Sequence, residues 1–164
     1  MSIRDLESST IRAFLLRNQK HMGKRVLDYG AGRQPYRDIV EAAGAEYVPY
    51  DSPEFPGSVV EKDTAAVRGR FDAVICTQVL QYCPSPDYTL RFLKTQLHDG
   101  GSLLMTGPTN WPLVEEEDLW RFTPSGVVKL LAEARFTSWN VVVRAAIRFE
   151  GENWATGWEA VVQA

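Results

Sequence analysis

The stretch VLDYGAGRQPY, Val26 to Tyr36, decides how this chain reads. An apolar run meets an aspartate, Asp28, and then two glycines spaced by one residue, Gly30 and Gly32. Glycines in such a turn permit a tight bend and close backbone approach to a ligand. At the carboxyl end of a first strand, the turn borders the crevice where open α/β sheets bind their ligands. The dinucleotide fingerprint needs a third glycine or an alanine three residues after the second. Pro35 stands there instead, with Gln34 before it.

Outward from this turn, short apolar runs alternate with longer periodic ones. DLESSTIRAFLLR (5–17) predicts an opening helix, RVLDY a strand, and YRDIVEAAG a short helix stopped by Gly44. EYVPYD predicts the second strand and GSVVEKD a short third. FDAVICTQ, nearly all apolar, reads as a fourth, buried on both faces. PDYTLRFLKTQLHDGG predicts a helix and SLLMTGP a fifth strand. TPSGVVKLLAEARF predicts a helix capped by Thr123 with Pro124 at its first position. SWNVVVRAA and GWEAVVQA have no helix between them, so they should form an antiparallel hairpin at one sheet edge. Strands alternating with helices predict a mostly parallel sheet with helices on both faces, in a single domain over 1–164.

Three strand ends carry an acid: Asp28, Asp51 (23 residues later) and Asp63, which Thr64 follows. A carboxylate at Asp28 repels a pyrophosphate and attracts an ammonium or sulfonium. Asp51 is placed to accept both hydroxyls of a ribose. Asp63 and Thr64 are candidates for an adenine edge. Arg33 is the one base among them, so the pocket reads as negative and suited to a cationic nucleoside.

Composition narrows the field. The 164 residues carry 18 Lys and Arg against 21 Asp and Glu, a net charge of -3, and no basic tract. That argues against a duplex nucleic-acid binder. No apolar run has membrane-spanning length and no leader pattern opens the chain. Cys76 and Cys83 are too few for a disulfide framework, which predicts a reduced, cytoplasmic protein. His21 and His98 sit in no metal-spaced motif, so no metal is expected. Both fall at the amino end of the sheet, away from the crevice.

From about Gly23 to Ala164 the chain resembles the class I S-adenosylmethionine-dependent methyltransferases. The resemblance rests on VLDYGAGRQPY, YVPYD, KDT, FDAVICTQVLQYCPSP, LKTQLHDGGSLLMTGP and LWRFTPSGVVKLL in that order. It implies a Rossmann-like α/β fold with a seven-stranded, mostly parallel sheet of order 3-2-1-4-5-7-6, the seventh strand antiparallel. It implies that Asp28, Gly30 and Gly32 hold the methionine end of S-adenosyl-L-methionine, and that Asp51 takes the ribose. Asp63 and Thr64 would border the adenine, with Thr77 and Gln78 as the floor beneath the methyl group. S-adenosyl-L-homocysteine would be the product. Three places depart from the family pattern: Gln34 for a third glycine, Asp99 for the proline before Gly100-Gly101, and Arg135 for the glycine of Ala-Gly-Phe.

Methyl transfer from a sulfonium is a direct displacement, so alignment of the acceptor matters more than a dedicated base. The acceptor side is expected from the irregular segment Gly107–Phe122, GPTNWPLVEEEDLWRF, which follows the fifth strand. Asn110, Trp111, Trp120 and Arg121 are its substrate-side candidates, together with Tyr29. Tyr82, Glu115 and Asp118 are the catalytic candidates. The short helix within residues 1–20 would act as a lid, leaving part of the pocket open or covered by another chain, either a second copy or a partner. A small-molecule acceptor is expected, its reacting atom O, N or C. Two competing readings stay in play: a non-catalytic helper subunit that binds the cofactor, and an NAD-dependent oxidoreductase, against which Asp28 and Pro35 speak.

Overall fold

A computed structural model describes residues 3–51, 70–111, 118–149 and 152–164. The elements are α1 (Ile3–Arg17), β1 (Arg25–Tyr29), α2 (Arg37–Ala42), β2 (Glu46–Tyr50), β3 (Phe71–Thr77), α3 (Pro86–Gln96), β4 (Leu97–Pro108), α4 (Pro124–Glu133), β5 (Ser138–Phe149) and β6 (Glu152–Gln163). They form a Rossmann-like α/β fold.

The sheet corrects the expectation of a seven-stranded, mostly parallel one. Among the described residues it has six strands, ordered β2-β1-β3-β4-β6-β5, and it is mixed. Three ladders are parallel: β1 with β2, β1 with β3, and β3 with β4. Two are antiparallel, β4 with β6 and β5 with β6. The physical reason is the closing hairpin, whose 12-residue strands fold back on each other, with β6 seated between β4 and β5. Its long ladders give the antiparallel pairings as much of the sheet as the short parallel strands. The stretch GSVVEKD, read as a third strand, lies outside the described residues, as do Glu150 and Gly151.

Strand alternation sorts the core onto two faces. On one, Ile11, Phe14 and Leu15 of α1 and Ile39 and Val40 of α2 cover Val26, Ala73, Ile75 and Leu104. On the other, Leu90 and Leu93 of α3 and Val127 and Leu131 of α4 cover Leu27, Val74, Cys76, Leu103 and Met105. β3 is buried at every position but Asp72. That carboxylate accepts from the amides of Lys24 and Arg25 at 2.8 and 2.9 Å, fixing the entry to β1.

Helix ends follow capping chemistry. Thr123 caps α4, its hydroxyl accepting from the Gly126 amide at 3.1 Å, with Pro124 in the first turn. α3 ends at Gln96, earlier than its apolar pattern suggests. Leu97 is already extended and opens β4. The strand then bulges: Leu97 pairs with Phe71 but Ser102 with Ala73, and Gly100 at φ 77 takes up the excess chain.

Two departures noted in the sequence sit where glycine is geometrically favoured. Gln34 has φ 58 and Arg135 has φ 61, both left-handed. Arg135 closes α4 in a Schellman pattern. Its amide bonds the Ala132 carbonyl at 3.0 Å and the Phe136 amide bonds the Leu131 carbonyl at 3.2 Å. Replacing Arg135 by glycine removes the Cβ strain without touching these bonds. The expected outcome of Arg135→Gly is a gain of about 0.5–1 kcal/mol, measured by urea denaturation with an unchanged m-value.

Candidate active site

The glycine turn is held from the neighbouring strand. The carbonyl of Tyr50, at the end of β2, accepts from both Gly30 and Ala31 amides, at 2.8 and 3.0 Å. Asp51 then accepts from the Gly32 amide through Oδ2 at 2.7 Å. The two strand ends are therefore one unit. The two glycines differ in purpose. At Gly30 (φ 80) a Cβ would lie 2.2 Å from Val79 Cγ2, so the turn packs directly against the segment after β3. At Gly32 (φ 49) a Cβ would meet nothing nearer than Asp51 Oδ2 at 4.0 Å. Gly32 thus faces a cradle that a side chain would fill.

Asp28, expected at the methionine end, is buried, at 1% exposure, with Oδ2 accepting the Tyr47 hydroxyl at 2.5 Å. Burial pushes its carboxyl up to about 7; the Tyr47 bond works against this, and the nearby Asp51 charge adds to it. Tyr36, which follows the glycine loop, is also buried. Burial first and the Asp28 charge second push its phenol up to about 12, against a hydrogen bond with Thr77. Thr77 ends β3, and Gln78 follows in a left-handed conformation, φ 56. The Gln78 amide group spans to β4, its Nε2 donating to Thr106 Oγ1 at 3.2 Å.

Beside this crevice lies a cavity of about 270 Å³, lined by residues of α1, the turn after β3 and the loop after β4. It brings together four of the expected residues: Gln78, Tyr82, Trp111 and Asp118. Gln81, which the sequence placed at the mouth beside Tyr82, also lines it, and it recruits three polar groups that sequence reasoning missed: Glu7, Ser8 and Tyr36. Glu7 and Ser8 belong to the helix expected as a lid. The capacity of α1 to reach over the crevice comes from its anchors. Arg12 donates to the Pro35 carbonyl at 2.8 Å. Buried Arg144 of β5 donates to Thr10 Oγ1 at 2.7 Å and to Glu7 Oε1 at 3.1 Å. Arg144 fits because Gly157 leaves room: a Cβ there would sit 2.6 Å from its Nη2. Burial raises the Glu7 carboxyl above its ordinary value, outweighing the Arg144 charge.

The other expected residues are placed elsewhere. Tyr29 stacks on Tyr50 at 5.2 Å and packs on the α3 face rather than in the cavity. Asn110 is exposed at the bend after β4. Trp120 lies outside the cavity, its indole N–H bonded to the Cys83 carbonyl at 2.9 Å. Arg121 ties the loop to Asp118, donating from Nη1 and Nη2 to its two carboxylate oxygens. Asp118, 2% exposed at its side chain, is thus an anchor. Asp63, Thr64 and Glu115 lie outside the described residues. Cys76 and Cys83 are free, and burial raises both thiols, which removes them as nucleophiles. Among the described residues no group of three or more His, Cys, Asp or Glu is placed to hold a metal, and no helix is long and apolar enough to cross a membrane.

A family model described as "Methyltransferase domain" matches residues 3–145. The chain belongs to that methyltransferase domain family, as a class I S-adenosylmethionine-dependent member. No curated protein matches it. Among solved structures, the methyltransferase is similar to a SAM dependent methyltransferase from Archaeoglobus fulgidus, at 14% identity and TM-score 0.73, covering 96% of this chain and 94% of that one. It is also similar to the Burkholderia thailandensis 1,6-didemethyltoxoflavin-N1-methyltransferase, solved with its substrate and S-adenosylhomocysteine, at 17% identity and TM-score 0.68 over 95% and 78% of the two chains. A third is the Haloferax volcanii protein solved with the Trm112 methyltransferase activator, at 15% identity and TM-score 0.63 over 98% and 92%. At these identities the likeness is one of fold.

The burial of Asp28 in this methyltransferase has a pH signature. Its folded value, about 7, lies above that of an unfolded aspartate, about 3.9. Between them the folded state keeps a proton the unfolded state has lost, so this residue's contribution to stability falls as pH rises. Asp28→Asn keeps an oxygen for Tyr47 and removes the titration. The variant should match the parent below about pH 4 and exceed it by on the order of a few kcal/mol above pH 7, read from denaturation midpoints across pH.

Proposed function

We propose that this methyltransferase acts on a small-molecule acceptor seated in the cavity next to the glycine turn. The observation that carries the reading is adjacency. Gln78 and Tyr36 line the cavity, and they also directly follow Thr77 and the glycine loop. A molecule there faces the crevice floor.

The residues present fit S-adenosylmethionine. Gly32 offers a backbone cradle beside Asp51, and the one base in the turn, Arg33, is exposed. Such a site attracts a cationic nucleoside and repels a pyrophosphate. When bound, the cofactor supplies an electrophilic methyl group on a sulfonium. Gly32 and Asp51 would hold its ribose side, and Thr77 and Gln78 would lie under its methyl-bearing end. α1 keeps water from the acceptor, held down by Arg12 and Arg144. Asp118 positions the loop through Arg121. Tyr82, in the cavity lining, would orient an acceptor. We read the compartment as the cytoplasm, because two free thiols are maintained where the milieu is reducing.

Thermal denaturation with added ligands tests the reading. S-adenosylmethionine and S-adenosylhomocysteine should raise the midpoint and NADH should not. Asp51→Ala should weaken both by roughly ten- to a hundredfold, the worth of a charged hydrogen bond. An Asp51→Ala variant that binds S-adenosylhomocysteine like the parent would remove Asp51 from the site.

A further inference from the structure

Two of the residues that line the cavity carry a hydrogen-bond acceptor with no partner among the described residues. Gln81 is 3% exposed and lines it. Its Nε2 donates to the Gln78 carbonyl at 2.9 Å, which fixes the orientation of the amide. Its Oε1 has no partner. Glu7, also in the lining, gives one oxygen, Oε1, to Arg144. Among the described residues no hydrogen bond reaches Oε2, and the side chain keeps 17% exposure. Asp118 differs, since both of its oxygens are taken by Arg121. Neither arginine lines the cavity, and among the described residues no lysine does.

An anion placed here would meet two carboxylates and no cation. A ligand with acceptors alone would leave Gln81 Oε1 unpaired, which is unfavourable for a buried carbonyl. A single hydroxyl would serve one of the two acceptors. An amine or an azole N–H beside a second N–H or C–H edge serves both, and positive charge on it suits Glu7. The volume, about 270 Å³, falls at the small end of ligand pockets.

We propose that the methyl acceptor is a small N–H donor, an amine or N–H heterocycle, recognised by Gln81 Oε1 and Glu7 Oε2. This rests on the methyltransferase reading. Methylation of such a nitrogen forms one N–C bond as one C–S bond breaks. The bond forms from a nitrogen lone pair, so a protonated amine first releases a proton to water and an azole reacts at its unprotonated ring nitrogen; the C–S electron pair stays on sulfur.

The test is calorimetry on the full chain saturated with S-adenosylhomocysteine, using benzimidazole and benzylamine against benzoxazole and benzoate. The N–H probes should bind at least about tenfold more tightly than the other two. Gln81→Met should cut the benzimidazole preference to about threefold or less, and Glu7→Gln should weaken benzylamine by about fivefold or more, both with unchanged S-adenosylhomocysteine affinity. If Gln81→Met does not fold, Glu7→Gln with benzylamine carries the test. Equal or tighter binding of benzoxazole or benzoate overturns the proposal, and so does binding of no probe while S-adenosylhomocysteine binds. Failure of S-adenosylhomocysteine itself to bind would instead count against the methyltransferase reading.

Discussion

The hydrogen bond from the Gly32 amide to Asp51 holds the functional edge of this protein together. At 2.7 Å it joins the turn after β1 to the residue after β2, and the Tyr50 carbonyl doubles the link through Gly30 and Ala31. A turn with three of its amides bound this way cannot drift. Gly30 can then touch Val79, which positions the segment after β3 and with it Gln78 and Gln81. The carboxylate that anchors the loop is the one the cofactor's ribose would meet. In the proposed function, scaffold and recognition share a single side chain.

A second constraint closes the site from above. Arg144 is almost fully buried, yet it bonds Glu7 and Thr10 on α1. Removing one member of such a pair leaves a buried charge uncompensated, which costs about 3–5 kcal/mol. The edge hairpin thus serves the active site. It carries the cation that holds the N-terminal helix over the cavity and leaves one oxygen of Glu7 facing inward.

Much of this was legible in the sequence, for local reasons. The glycine spacing, the Thr123–Pro124 helix start and the final hairpin are written in adjacent residues. What was not legible depends on partners distant in the chain. Asp28 looked like a crevice carboxylate because Tyr47 is invisible until the register is known. β1 pairs Asp28 with Pro49, which puts Tyr47 two residues back on the same face. The sheet was read as mostly parallel because its strand count leaned on GSVVEKD and its two antiparallel ladders were taken as a short edge. The aromatic candidates divide: Trp111 and Tyr82 line the cavity, whereas Trp120 and Tyr29 do not. Trp120 is consumed by a backbone carbonyl and Tyr29 by Tyr50. Gln81 follows the fourth predicted strand and its place at the mouth was legible, whereas Glu7 reaches the cavity through tertiary contacts that no spacing rule flags. The left-handed angles of Gln34 and Arg135 did leave a trace, since both occupy places where glycine is the family norm.

Residue-resolved NMR of the backbone amides during a titration with S-adenosylhomocysteine tests the central claim most directly. Saturable shifts are expected at Gly32, Gln78 and their neighbours, with slower hydrogen exchange at Gly32 and little change along β5. Saturable shifts confined to other parts of the molecule, with the Gly30–Gly32 turn unmoved, would contradict the account.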